Sequence, residues 1–276
     1  MKKAFLETNA ICRFFDANTS GIEVRAILES YGYHPVIGLH VIYELSRTFL
    51  SGNSDEKAKI MFGILKDLNP IVSETPAAII MAECNNCFSN FKFNSFLYGA
   101  REAETRAEIL KLSEGDFDEN ARRFVISRDK SFKVDNAEIG KRNVEIFLND
   151  PPQKRLRSFD DILDYYTPMI PVLIEQLLPL NNSEASELAA QIDNYPMLKS
   201  IVMANLYMVF IAIAHKVTPA PDKTDDHRHV IEASYCDAFI TEEKQLLSNI
   251  KYINSKLNPI KWSEIGDIPE LEDSGN

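Results

Sequence analysis

Ala4-Phe5-Leu6-Glu7-Thr8-Asn9-Ala10-Ile11 is the stretch from which the fold is read: three apolar residues, then an acid, a hydroxyl and an amide, then apolar residues again. Such a run describes a short buried strand that turns directly into a helix, with Thr8 or Asn9 able to cap it. Ligands of open α/β sheets collect outside the carboxyl ends of the strands, so an acid placed there is a candidate for metal or substrate contact.

Working outward, residues 21–31 carry apolar positions at helical spacing and stop at Gly32, and Pro35-Val36-Ile37-Gly38 supplies a second short strand. Residues 40–50 are strongly helical, with Glu44 between the apolar positions Val41 and Leu45. Ser54 caps a helix expected to run to Leu68, residues 70–73 form a brief strand, and Thr75-Pro76 restarts a helix with proline at its first position. Near the other end, Thr224-Asp225-Asp226 is expected to cap a short helix through Cys236. Asp237-Ala238-Phe239-Ile240-Thr241 follows as a strand, Glu242-Glu243 open a helix, and a last strand lies around Pro259-Ile260-Lys261-Trp262.

Between these two groups the character changes. Residues 85–221 read as helices, with a long apolar segment at 159–180 broken by Pro168 and Pro171, and helices expected at 101–112, 136–148, 183–192 and 197–216. Within residues 121–157 stand ten Lys and Arg against five Asp and Glu, and Phe124, Phe132 and Phe147 interleave with them. Aromatic rings among cations suit a single-stranded nucleic acid, whose bases stack while its phosphates are neutralised. Arg122, Arg123, Arg128 and Lys130 are the expected contacts.

The 276 residues are 45% hydrophobic and 26% charged, enough for one large core or two small ones. A formal charge of −11 argues against a broad basic surface of the kind that coats duplex DNA. Cys12, Cys84, Cys87 and Cys236 lie among apolar residues, and Cys84-Asn-Asn-Cys87 has no second cysteine pair to complete a zinc site, so all four are expected to be reduced thiols. With no secretory leader, a cytoplasmic setting is expected. The apolar run 201–214 is shorter than the roughly 20 residues that span a bilayer, so it is expected to be a core helix and no membrane partner is expected.

Phe5-Leu6-Glu7-Thr8-Asn9, Val41-Ile42-Tyr43-Glu44-Leu45 and Asp225-Asp226-His227-Arg228-His229-Val230-Ile231-Glu232-Ala233, followed by Cys236-Asp237-Ala238-Phe239-Ile240-Thr241-Glu242-Glu243, together resemble the PIN domain, a family of metal-dependent nucleases. The resemblance implies an α/β fold in which a short central parallel sheet is flanked by helices. Residues 1–84 and 222–265 would form this discontinuous core, 85–221 a large all-helical insertion, and 266–276 an acidic tail. It places the family's acids on Glu7, Glu44, Asp226 (less well Asp225) and Glu243, with Asp237 as an additional metal ligand or a supporting group. Glu7 and Glu243 stand where the family normally has Asp. Asn9 would orient a carboxylate or water, and Thr8 and Thr241, with no evident base partner, read as turn or supporting hydroxyls rather than nucleophiles.

The implied cofactor is Mg2+ or Mn2+, hard cations that take oxygen ligands. The implied reaction is hydrolytic, endonucleolytic cleavage of single-stranded RNA by water attack on a phosphodiester. Besides RNA, the resemblance allows an antitoxin-like protein partner or a second copy of the chain. A catalytically degenerate module that binds RNA or a protein is the alternative, and a purely helical interaction protein would be favoured by a structure without a sheet. His227 and His229, at i and i+2 on a helix, point to different sides and are expected to have surface or supporting roles.

Overall fold

The computed structural model describes residues 1–51, 54–148, 156–215 and 221–265. Five strands, β1 (Lys2–Leu6), β2 (Tyr33–Ile37), β3 (Ile71–Val72), β4 (Ala238–Thr241) and β5 (Asn258–Lys261), form one sheet in the order β3-β2-β1-β4-β5. Every pairing is parallel, with Phe5 opposite Val36 on one side and Phe239 on the other. Ala4, Phe5 and Leu6 are completely buried, as the uninterrupted apolar run requires of a central parallel strand covered on both faces. The rings of Phe5 and Phe239 stack at 5.5 Å across the β1–β4 pair. A purely helical protein is thereby ruled out.

The chain leaves β1 for β2 and β3 on one side, then returns to place β4 and β5 on the other. The carboxyl ends of β1 and β4 therefore flank the point where the winding reverses, where a crevice opens between diverging connections.

Helices α1 (Thr8–Asp16), α2 (Gly21–Ser30), α3 (Leu39–Arg47), α4 (Asp55–Leu68) and α5 (Pro76–Ser89) follow the first three strands. Their ends obey local chemistry. Ser20 and Glu23 make a reciprocal capping box for α2, the Thr75 side chain caps α5, and α4 ends at Asn69 in the left-handed conformation (φ +47°) just before Pro70. At Gly21 a Cβ would lie 2.1 Å from the Ile64 carbonyl oxygen, so glycine there lets α2 press directly onto α4.

The helical segment comprises α6 (Gly99–Glu114), α7 (Glu119–Leu148), α8 (Phe159–Tyr166), α9 (Ile170–Leu177), α10 (Asn182–Ala190) and α11 (Pro196–His215). Pro168 and Pro171 separate α8 from α9 through a 3-10 turn, as expected of residues that lack a backbone donor. The segment is packed into the α/β part: α6 lies on α4, and α11 touches α5, α7 and α8 as well as the two closing helices, α12 (Pro221–Glu232) and α13 (Lys244–Ile253). One cluster of buried apolar side chains runs from Phe5 in the sheet to Leu198 and Val202 in α11.

Three boundaries differ from expectation. The basic stretch and the 136–148 helix are one 30-residue helix, α7. Helix α12 begins at Pro221 and ends at Glu232, because proline at a first helical position has no amide hydrogen to leave unpaired. Helix α11 begins at Pro196, so that Pro196–Ala214 is long and apolar enough by length and composition to cross a membrane; half of that window is buried within the protein. All four cysteines are free thiols. The expected breaker at 218–220, the cations Lys154 and Arg155 and the acidic tail 266–276 lie outside the described residues, as do the side chains of Lys141, Arg142, Phe147 and Asp225.

Candidate metal centre

Three acids reach the carboxyl edge of the sheet by the same route. Glu7 follows β1 as the N-cap of α1, Glu243 follows β4 as the N-cap of α13, and Glu44 lies on α3 directly after β2. Glu243 does not spend its side chain on capping its helix. The Thr241 hydroxyl, fully buried at the end of β4, accepts the Glu243 backbone N–H at 3.0 Å and hydrogen-bonds to the Glu7 carboxylate. Helix α12 crosses this edge and adds His229 and, one turn later, Glu232.

Glu44 is the centre of the resulting cluster. The Thr8 hydroxyl donates to its Oε2, His229 Nε2 lies 2.8 Å from the same oxygen, and His40 Nε2 approaches Oε1 at 3.4 Å. The two imidazoles are 4.9 Å apart centre to centre. One donor atom from each of His40, Glu44 and His229 falls within 4.8 Å of the others. Beside them, Glu232 Oε1 accepts the His40 backbone N–H at 3.2 Å. Its Oε2 and Glu7 Oε2 are buried without a hydrogen-bond partner, an arrangement that costs free energy unless something else satisfies these oxygens.

Burial and mutual charge set the protonation states. For His229, burial alone would lower the imidazolium pKa, but the charge and hydrogen bond of Glu44 override it and push the group up to about 9. For Glu44, burial acts to raise the pKa and is outweighed by the charges and hydrogen bonds of His229 and His40, which hold the carboxyl well below its usual range. Burial pushes Glu232 up to about 7, against the opposing charge of His229. Glu7 is also raised, chiefly by burial, with His229 and the Thr241 hydrogen bond resisting. The result is a buried imidazolium–carboxylate pair flanked by two acids that hold their protons more tightly than exposed ones do.

Helix α7 covers one side. Phe132 packs edge-on against His40 at 5.7 Å and Tyr43 at 5.3 Å, and its ring carries the guanidinium of Arg228 at 3.9 Å and that of Arg128 at 4.6 Å. An ion pair of 3.1 Å between Arg47 and Asp129 holds α7 to α3. Arg122 lies over the Phe117 ring and Arg123 pairs with Glu119, while Phe124 and Lys130 are exposed.

Among the expected site residues, Glu7, Thr8, Glu44 and Thr241 are brought into this one network, and Asn9 acts on Glu7 through its backbone N–H. Glu243 stands two residues beyond Thr241, and Asp226 stands half-buried on α12 one turn before His229. Asp237 is a correction. It precedes β4, at the amino edge of the sheet, where its exposed carboxylate accepts the Lys3 backbone N–H at 2.7 Å. Neither His227 nor His229 lies at the surface; both are buried, and His229 stands against the Glu44 carboxylate, the supporting alternative of the two expected roles. His40 and Glu232 were not singled out. The available signal was spacing: His40 and Glu44 at i, i+4, and His229 and Glu232 at i, i+3, each pair adjacent on one helix face.

The chain matches no protein-family model, no curated protein and no solved structure.

Proposed function

We propose that the protein hydrolyses phosphodiester bonds in single-stranded RNA, using a divalent metal held at the Glu7, Glu44 and His229 pocket. The observation that carries this is the convergence of ionisable groups from β1, α3 and α12 at the winding reversal beside β1 and β4. Two buried carboxylate oxygens without partners suit a cation, which would neutralise like charges that otherwise repel. A metal bound there would supply Lewis-acid stabilisation of charge developing on phosphate. Glu7, raised in pKa and with one unpartnered oxygen, is assigned as acceptor of the attacking water's proton. Thr8 and Thr241 hold the Glu44 and Glu7 carboxylates in place. Arg128 and Arg228 lie near enough to offset phosphate charge, and exposed Phe124 offers a ring on which a base can stack.

The test is cleavage of a labelled single-stranded RNA with added Mn2+. Glu44→Gln should lower the rate at least a hundredfold with an unchanged circular dichroism spectrum, and equal rates would remove Glu44 from the reaction. A second reading, a catalytically inactive module that binds RNA or a protein partner, is favoured by one observation: Glu44 Oε2 already has two hydrogen-bonding neighbours while Phe132 packs against His40 beside it. RNA binding by the wild type without cleavage in any divalent metal would select it.

A further inference from the structure

His40, Glu44 and His229 offer two imidazole nitrogens and one carboxylate, a donor set that differs in kind from the all-oxygen shell the resemblance implies. We propose that these three residues form a site for a divalent transition metal of the zinc and cobalt class, in preference to Mg2+, with a coordination position left for water or a phosphate oxygen. The inference deepens the metal-dependent function above and rests on it for the role of the pocket.

Three features support it. The first is donor chemistry. Imidazole suits zinc, cobalt and related metals, whereas Mg2+ prefers six oxygens and gives up water reluctantly. The second is spacing. A tetrahedral metal with ligands at roughly 2.1 Å separates donor atoms by about 3.4 Å. Glu44 Oε2 lies 2.8 Å from His229 Nε2 and Oε1 lies 3.4 Å from His40 Nε2, with the donor atoms of the three residues all within 4.8 Å, so small side-chain rotations bring them to this spacing once the metal displaces the His229 Nε2 proton. Two of the ligands come from successive turns of α3 and the third from α12, a three-residue set that leaves the fourth tetrahedral position to water or a phosphate oxygen.

The third is the state of the surrounding polar atoms. All three ligand side chains are at least four-fifths buried, His40 and His229 nearly completely, yet His40 Nε2 is poorly aligned for a hydrogen bond to Glu44. Glu232 Oε2 and Glu7 Oε2 stand beside the set, buried and without partners. A Cβ at residue 38 would fall 1.6 Å from Glu232 Oε2, so this acid is seated against bare backbone at the start of α3. Buried acids held next to metal-binding imidazoles serve to orient them or to hold water on the metal.

The test uses the full chain, stripped with EDTA and loaded with Co2+. The expected result is one Co2+ per chain with visible absorption bands of a low-coordinate nitrogen–oxygen site, unmoved by a hundredfold excess of Mg2+. His40→Gln and His229→Gln should each weaken Co2+ binding at least tenfold, and circular dichroism of the EDTA-treated proteins shows whether the variants are folded. Displacement of Co2+ by equimolar Mg2+ would overturn the inference without any variant, as would unchanged Co2+ affinity in both folded variants. Absence of binding by any divalent metal would overturn the inference and remove the metal from the proposed function. Tight Co2+ or Zn2+ binding without RNA cleavage under any condition would uphold the site and overturn the nuclease function alone.

Discussion

Glu232 is the residue whose surroundings most constrain it, and its protonation gives a measurement. Burial lifts its carboxyl from about 4.5 in the unfolded chain to about 7 in the folded protein. The folded state therefore keeps a proton that the unfolded chain releases. The stability linked to Glu232 is fully present below about 4.5 and is lost as pH rises to about 7. In EDTA-treated protein, the difference in urea midpoint between the wild type and Glu232→Gln should shift steadily against the wild type across that window, and a pH-independent difference would show that Glu232 ionises freely. His229, pushed up to about 9, acts later, its ion pair with Glu44 being lost between about 6.5 and 9. Glu7 and Glu44 were legible in the sequence because each follows a strand. His229 was not, because the local comparison was with His227, whereas its partner Glu44 is 185 residues away.

At the scale of elements, Glu83 on α5 shows how the helical segment is fastened. Its two oxygens accept the Met197 and Leu198 backbone N–H groups, each at 2.8 Å, and the Tyr235 hydroxyl donates to it at 2.6 Å. The acid is fully buried and caps α11 from another helix, meeting donors that no helix can satisfy internally. Glu83→Ala would leave three donors without this acceptor and should cost at least about 3 kcal/mol, at roughly 1–3 kcal/mol for each buried donor left unsatisfied. Urea denaturation measures it, and a loss below about 1 kcal/mol would mean that water replaces the carboxylate. Local pattern alone indicated most helices, down to Pro168 in the break before α9 and Pro171 in its first turn. It could not show that α11 starts at Pro196, since the cap is supplied from a distant part of the chain, nor that α7 continues unbroken across its charged face.

For the whole molecule, a formal charge of −11 coexists with a cationic helix at the mouth of the proposed site. If α7 guides single-stranded RNA, replacing Arg122, Arg123 and Lys130 by Glu should weaken binding at least tenfold near 50 mM salt. It should also flatten the salt dependence by about 2 in log–log slope, at roughly 0.7 per phosphate contact. Unchanged affinity and slope would make α7 an ordinary solvated face. That the strands gather towards the two ends of the chain was visible in the pattern, but the docking of α6 on α4 and α11 on α12 and α13 was not, because apolar helix faces do not name their partners. The order β3-β2-β1-β4-β5 carries a last consequence, for biosynthesis. β1 leaves the ribosome before the other four strands, yet its neighbour β4 is made only after the whole helical segment, and Lys3 meets Asp237 across 234 residues. During synthesis one edge of the central strand has no hydrogen-bonding neighbour, a condition that invites pairing with other chains. A message truncated before residue 229 would yield a protein with an open sheet edge and without the imidazole opposite Glu44, so incomplete copies should be found among aggregates rather than in the soluble fraction.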